Sequence, residues 1–179
     1  MREERIFQVG TGPHCDARER HRDGARCRFR ARPMTPPAIT VRQAAIGDLP
    51  AARRLLDQLG YAVAADELDR RFAIVSAAAD HAMFVAEREG SVVALCHLYA
   101  RPALDKPPEI IVQALVVDQA CRGAGVGRLM MGVAESWARE HGFGSVALAS
   151  SLPRAAAHAF YEAIGYHRTA TSHLFRKTL

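Results

Sequence analysis

The chain has 179 residues, of which 49% are hydrophobic and 24% are charged, and its formal net charge is +5. That length fits one domain whose core needs neither disulfide bonds nor a structural metal. No apolar stretch approaches the roughly 20 residues that span a bilayer, and the N-terminus lacks an apolar signal-peptide segment, so we expect a cytoplasmic protein without a membrane partner.

The positive charge is concentrated near the N-terminus. Residues 1–33 hold nine arginines against five acidic residues, whereas the rest of the chain holds 15 Lys or Arg against 14 Asp or Glu. We interpret residues 1–37 as a basic, disordered extension before a domain at residues 38–179; translation starting at Met34 is an alternative. A basic arm can bind nucleic acid through phosphates, but only Phe7 and Phe29 interrupt this one, so no nucleic-acid partner is expected.

The first half of the domain predicts a strand, two helices and a hairpin. The first helix has Asp48 as its candidate N-cap and Pro50 in its first turn, and Gly60 ends it. The second helix shows apolar residues at helical spacing between Leu68 and Ala79. Two alternating runs beside Gly90 then give a hairpin signal. The strands of this half are expected at 39–42, 83–86 and 92–95.

The second half adds a long apolar strand and two further helices. A loop with three prolines at 101–108 precedes the strand at 110–117, and a helix then runs to Gly142. A strand at 145–149, a helix at 154–164 and a closing strand pair near 166–170 and 173–177 complete the chain. This order predicts one α/β domain with mixed strand pairing.

A glycine-rich turn joins the apolar strand to the helix that follows it. Its sequence is Arg122-Gly123-Ala124-Gly125-Val126-Gly127. Glycines let the backbone approach a ligand, and the free N–H groups at a helix start favour an anion, so the turn suits a phosphate. It lacks the Gly-Lys-Ser/Thr ending of a Walker loop, and Arg128 stands where a dinucleotide fingerprint requires glycine.

A second pattern follows about 35 residues later. It runs from Ala157 to Tyr166 as A-x-x-F-Y-x-x-x-G-Y, and a short alternating run separates it from the glycine-rich turn. Together the two patterns resemble the Gcn5-related N-acetyltransferase (GNAT) superfamily over residues 39–179, in particular its bacterial enzymes for small-molecule amines. The resemblance implies a central mixed, largely antiparallel sheet of six to seven strands flanked by about four helices. It also implies transfer of an acetyl group to a primary amine.

The same resemblance implies acetyl-CoA as cosubstrate. Its pyrophosphate is expected at the glycine-rich turn, and its pantetheine amides along the backbone of the strand 110–117. The cofactor-binding residues implied in this way are Leu115, Val116, Val117, Arg122, Gly123, Ala124, Gly125, Val126, Gly127 and Arg128.

Tyr161 matches the family tyrosine that faces the thioester, and it is our candidate general acid. A phenol with a pKa of about 10 can donate a proton to a departing thiolate and stay protonated at neutral pH. Gln113 stands where many relatives carry a glutamate that relays the amine proton, and glutamine cannot accept that proton. Glu109, Asp105 or bulk water can serve instead, or the amine arrives neutral.

Other reactive side chains are weaker candidates. Cys121 adjoins the glycine-rich turn, but direct attack by the amine needs no acyl carrier. His97 and His158 have the right pKa range for a base and are more often structural. The cysteines lack metal-ligand spacing, so free thiols and no metal site are expected. The four are Cys15, Cys27, Cys96 and Cys121.

The acceptor is the least determined feature. We expect a small amine such as an aminoglycoside, an aminoalkylphosphonate or a polyamine, in a pocket lined by residues 59–72, 101–109 and 168–174. The acidic residues Asp66, Glu67 and Asp69 can attract a polycation or form an ordinary solvated face. A protein N-terminus or lysine is an alternative acceptor, and a non-catalytic acetyl-CoA sensor is an alternative function. We also expect a homodimer.

Overall fold

The computed structural model describes residues 38–179, so the extension predicted at residues 1–37 lies outside the described part. The described residues form five strands and four α-helices. In chain order they are β1 (Ile39–Gln43), α1 (Leu49–Leu59), α2 (Ala65–Ala77), β2 (His81–Arg88), β3 (Ser91–Arg101), β4 (Glu109–Val117), α3 (Val126–Glu140), β5 (Val146–Leu148) and α4 (Ala155–Ala163). Short 3-10 turns at Ile46–Asp48 and Gln119–Cys121 precede α1 and α3.

The five strands form one sheet in the order β1-β2-β3-β4-β5. The first three pairs are antiparallel and β4–β5 is parallel, which confirms a mixed, largely antiparallel α/β sheet. The expected six to seven strands are wrong, because the closing pair near 166–170 and 173–177 does not form. Leu174 and Phe175 are exposed, so residues 173–177 have no apolar face packed on the sheet to hold them as a strand.

The sheet separates two apolar layers. On one face α1 buries Leu55 against Val85 and Val116, and on the other α3 buries Met130 against the sheet beside Ile110. Leu129, Val133 and Trp137 are only partly buried, at the edge of this layer. The fully buried residues of α3 are Val126, Met130, Met131, Ala134 and Ala138. None of the helices in residues 38–179 is long and apolar enough to cross a membrane.

Asp48 stabilises the start of α1 differently from the predicted cap. Its carboxylate makes no capping bond to α1; it accepts hydrogen bonds from Arg42 at 2.7 and 2.9 Å and from the Ala45 amide at 2.7 Å. Arg42 also donates to Glu87, at 3.1 Å. The Arg42 guanidinium holds the pKa of the buried Asp48 carboxyl below its usual value. The network joins β1, β2 and the entrance to α1.

Replacing this carboxylate by an amide, in Asp48→Asn, is expected to lower the free energy of unfolding at neutral pH by about 2 kcal/mol. The folded pKa of Asp48 lies below the unfolded value of 3.8, so the contribution is complete above about pH 5 and is lost as the pH falls through the folded pKa. Urea unfolding between pH 7 and pH 2 measures this. The difference between the two proteins should shrink in acid, and curves that stay parallel throughout would contradict the assignment.

Candidate active site

The pairing of β4 with β5 ends partway along β4. Residues Ile110–Val112 pair with Val146–Leu148, and β4 then continues alone on that side to Val117. Among the described residues no strand covers this edge of 113–117. The open edge includes Leu115, Val116 and Val117, whose backbone was predicted to bind pantetheine. Their side chains pack into the two apolar layers, so the backbone is what they offer to a ligand.

A β-bulge at Gln113 accompanies this separation. On β3, Leu98 faces Val112 and His97 faces Ala114, so Gln113 is an extra residue on β4 without a partner. Bulges bend a strand and re-aim side chains, and they are common beside active sites. Gln113 is accordingly exposed although it lies within a central strand.

The space between the diverging strands is a cavity of ≈ 120 Å³. Gln113, Leu115 and Tyr161 line it, so the structure brings the predicted acid and the glutamine to one site. Of the three segments expected around the acceptor, only 59–72 contributes to the lining within the described residues, through Leu59 and Tyr61. Ser150 and Arg154 also line the cavity.

Tyr161 lies on α4, half-buried between two aromatic rings. Its ring centroid is 5.1 Å from that of Phe160 and 6.1 Å from that of Tyr166. Burial raises the pKa of Tyr161 above its usual value, and the charge of Arg154 opposes part of that rise. The phenol is therefore protonated at neutral pH and can act as a proton donor to a group in the cavity.

Glu109 is poorly placed to replace the missing carboxylate. It begins β4, away from the cavity lining, and it forms ion pairs with Arg101 and, at 3.0 Å, with Lys106. These cations lower the pKa of Glu109, which makes it a weaker base. Gln113 is the residue of this pair that the structure brings to the cavity.

The other reactive side chains lie apart from the cavity lining. His81 Nδ1 and His97 Nε2 are 2.9 Å apart, and burial, with the charge of His81 beside it, lowers the pKa of His97 to about 4. Burial raises the pKa of the Cys96 thiol to about 12, so it is inert. In the described part of the chain, no cluster of three or more His, Cys, Asp or Glu is arranged to hold a metal.

The glycine-rich turn has the geometry of an anion site. Gly123 and Gly125 adopt φ of 79° and 81°, and Gly125 is the N-cap of the 15-residue helix α3. The Leu129 amide donates to the Gly125 carbonyl at 3.0 Å, so the N–H groups of the three residues before Leu129 precede the first bond of the helix. Nothing described lies within 4 Å of a Cβ built at either glycine, which leaves room for a phosphate.

Three arginines near this site donate hydrogen bonds to backbone carbonyls on three different elements. Arg122 Nε donates to the Val117 carbonyl at 3.1 Å and so ties the turn to the open end of β4. Arg128 Nη2 instead donates to the Ala163 carbonyl at the end of α4, at 3.2 Å, so its side chain is directed away from the predicted phosphate. Arg154 Nη2 donates to the Leu59 carbonyl at 2.7 Å.

Gly127 has a packing role that the sequence pattern did not reveal. A Cβ at this position would lie 3.1 Å from Cζ of Phe160 and 3.3 Å from Cε2, closer than ordinary packing allows. The missing side chain therefore lets α4 approach the first turn of α3. From the sequence, the glycines of this turn are explained by the approach of a ligand, whereas the side chain closest to Gly127 is that of Phe160.

The sequence profile of the Acetyltransferase (GNAT) family matches residues 49–166, and the chain belongs to this family. Membership implies an N-acetyltransferase with acetyl-CoA as cosubstrate. The turn, the open edge of β4 and the cavity beside Tyr161 are the features that fit such a ligand.

Relatives of the chain agree with this assignment. An uncharacterized N-acetyltransferase of Bacillus subtilis (strain 168), YhdJ, is 35% identical over 96 residues, which cover 53% of this chain and 66% of the relative. The chain thus spans just under two thirds of that relative. A protein described as an acetyltransferase from Agrobacterium tumefaciens is 30% identical, with a TM-score of 0.69 over 76% of this chain and 99% of the other. The aminoglycoside N-acetyltransferase AAC(6')-Iy, solved with CoA, shares the fold at 19% identity, with a TM-score of 0.75 over 82% and 99% of the two chains.

Sequence reasoning missed the contribution of Ser150 to the site. The Ser150 hydroxyl is buried and has no hydrogen-bond partner among the described residues. It lies two residues beyond β5, in a stretch without periodicity. The one sequence signal that could have indicated Ser150 is its position in the loop between β5 and α4, the helix that carries Tyr161.

Proposed function

We propose that the chain is an acetyl-CoA-dependent N-acetyltransferase that acetylates the primary amine of a small molecule in a ternary complex. The observation that carries this proposal is the cavity between β4 and β5, with Tyr161 and Gln113 on its wall. The acceptor classes considered are aminoglycosides, aminoalkylphosphonates and polyamine-like compounds. We further propose that residues 38–179 contain the whole catalytic unit.

The proposed roles follow from the positions of the groups. Acetyl-CoA supplies a thioester whose carbon–sulfur bond breaks as an amide bond forms at the amine nitrogen. The free amides at the start of α3 bind phosphate oxygens, and the open edge of β4 offers backbone groups to the pantetheine arm. Tyr161 donates the proton that the leaving sulfur gains and is reprotonated from water, which also takes the proton that the amine nitrogen loses. Holding the two reactants together supplies much of the rate.

Among the described residues that line the cavity there is no carboxylate to accept the amine proton, and Gln113 cannot take it. We therefore expect kcat/KM to rise with pH until the pKa of the acceptor amine itself is reached. Gln113→Glu should shift this rise to lower pH, because the carboxylate can accept the proton. Rates over pH 6 to pH 10 with one amine measure it. A wild-type profile that levels off well below the amine pKa would reveal another base.

Thiol release from acetyl-CoA with a panel of amines, peptides and lysine-containing proteins tests the function. Turnover with small amines, and mass spectrometry showing the acetyl group on nitrogen, is the expected result. Turnover confined to peptides would favour the protein acetyltransferase alternative. Tight binding of acetyl-CoA without turnover on any acceptor would favour the sensor, which the glutamine at position 113 alone supports.

We also propose a homodimer. The C-terminal segment exposes Leu174, Phe175 and Leu179 to solvent in the single chain. Exposed apolar side chains become buried when they lie in an association surface, which is the argument for this proposal. Sedimentation velocity decides the matter, and a monomer at all accessible concentrations would exclude it.

A further inference from the structure

The charge on the cavity wall indicates which kind of amine it accepts. Thirteen described residues line the cavity, and Arg154 is the one among them that carries a charge. A polycationic acceptor needs carboxylates to replace its water, and this lining provides none. An acceptor with an anionic group would instead meet a guanidinium, which binds carboxylate and phosphate oxygens well.

Arg154 is held in place at this wall. Its Nη2 donates to the Leu59 carbonyl at the end of α1, at 2.7 Å, which fixes the guanidinium between the α1–α2 loop and the start of α4. A guanidinium has five N–H donors, and that is the one side-chain hydrogen bond Arg154 makes within residues 38–179. The remaining donors are available to a ligand. Its positive charge opposes part of the rise that burial causes in the pKa of Tyr161.

A second donor lies on the same wall. The Ser150 hydroxyl lines the cavity, is buried and has no partner. A buried hydroxyl without a hydrogen bond is unfavourable, and an oxygen of a bound substrate that accepts its proton would remove this cost.

Two of the three acidic residues that could favour a polycation, Asp66 and Glu67, form ion pairs with arginines of the same helix. Glu67 on α2 forms ion pairs with Arg70 and Arg71, both at 2.7 Å, and Asp66 lies 3.3 Å from Arg70. The structure thus favours the solvated-face interpretation of this cluster. It leaves the positive charge of Arg154 dominant at the cavity.

We propose that the acceptor is a small primary amine that also carries an anionic oxygen group, a carboxylate, phosphate or phosphonate, and that Arg154 selects it. This inference rests on the proposed function. Arg154 contacts the anionic group and sets specificity, while Tyr161 remains the proton donor. Arg122 lies at the other end of the open edge of β4, at the turn expected to bind the phosphates of the cosubstrate.

The test uses four amines of similar length: 3-aminopropanoate, 2-aminoethylphosphonate, 3-aminopropan-1-ol and 1,3-diaminopropane. The two anionic amines should have the highest kcat/KM in the wild-type protein. Arg154→Glu should lower kcat/KM for the anionic amines and raise it for the diamine, changing their ratio by roughly 100-fold, because two unit charges separate the variants. Arg139→Glu, at an exposed arginine of α3, makes the same change in net charge away from the cavity and should leave the ratio unchanged.

Two further measurements keep the outcomes separate. CoA affinity should be equal in the wild type and Arg154→Glu; a weaker affinity with an unchanged acceptor ratio would make Arg154 a CoA ligand and overturn the assignment. In case Arg154→Glu does not fold, 3-hydroxypropanoate should inhibit the wild type competitively against 3-aminopropanoate, whereas 1,3-propanediol should not. If the wild-type protein prefers the diamine, the selection of an anionic amine by Arg154 is wrong, but the proposed N-acetyltransferase function still stands. Failure to acetylate any small amine in the broader panel overturns the proposed function as well.

Discussion

Tyr161→Phe should lower kcat by roughly 10²–10⁴-fold, the usual contribution of a general acid, and leave the affinity for acetyl-CoA unchanged. The substitution removes one hydroxyl and keeps the ring that packs between Phe160 and Tyr166. Burial raises the pKa of this phenol, so the wild-type group is protonated at neutral pH. Single-turnover rates of acetyl transfer measure the chemical step even where product release limits kcat.

Tyr166→Phe provides the matched control. The Tyr166 hydroxyl donates to Glu135 at 3.1 Å, and Tyr166 is not part of the cavity lining, so its loss should affect stability rather than chemistry. Equal single-turnover rates for the wild type and Tyr161→Phe would show that Tyr161 is not the proton donor. A loss of acetyl-CoA affinity in Tyr161→Phe would show instead that the hydroxyl holds the cosubstrate.

Gly125→Val should abolish most of the affinity for CoA. The residue has φ of 81°, a conformation that a β-branched residue avoids, so the turn must change and the amides at the start of α3 lose their common direction. No described atom lies near the added Cβ, so the effect comes from the backbone rather than from a clash. We expect affinity to fall at least tenfold by calorimetry, with the overall fold retained by circular dichroism.

Gly132→Ala tests whether any glycine of α3 would give the same result. This glycine is inside the helix, and a Cβ there meets nothing within 4 Å. Alanine should stabilise the helix by up to about 1 kcal/mol and leave CoA affinity unchanged. Unaltered CoA binding by folded Gly125→Val protein would show that the phosphates bind elsewhere.

The elements that depend on local pattern were predictable from the sequence. Helix α1 stops at Gly60, which adopts φ of 99°, and the apolar run before the glycine-rich turn is a central strand. The proximity of Gln113 and Tyr161 was also predictable, although only from the family resemblance. Local periodicity predicts the type and length of an element. A family motif predicts which distant residues lie next to each other.

Features that depend on distant partners were not predictable. The bulge at Gln113 arises from the register with β3, and the carboxylate of Asp48 binds Arg42 on another element rather than its own helix. The alternation in residues 166–179 suggested strands, but a strand needs a partner edge, which sequence alternation does not supply. The unpaired Ser150 hydroxyl likewise becomes visible only once the surrounding chain is in place.

The contact between Gly127 and Phe160 links two functions that the sequence presents as separate. Phe160 immediately precedes Tyr161, and Arg128 binds the carbonyl of Ala163 two residues beyond it. The first turn of α3 therefore contacts the helix that carries Tyr161, the proposed proton donor. A substitution that loosens this turn is expected to weaken phosphate binding and displace the phenol together. We therefore expect substitutions at this contact to change cosubstrate affinity and the rate of the chemical step together.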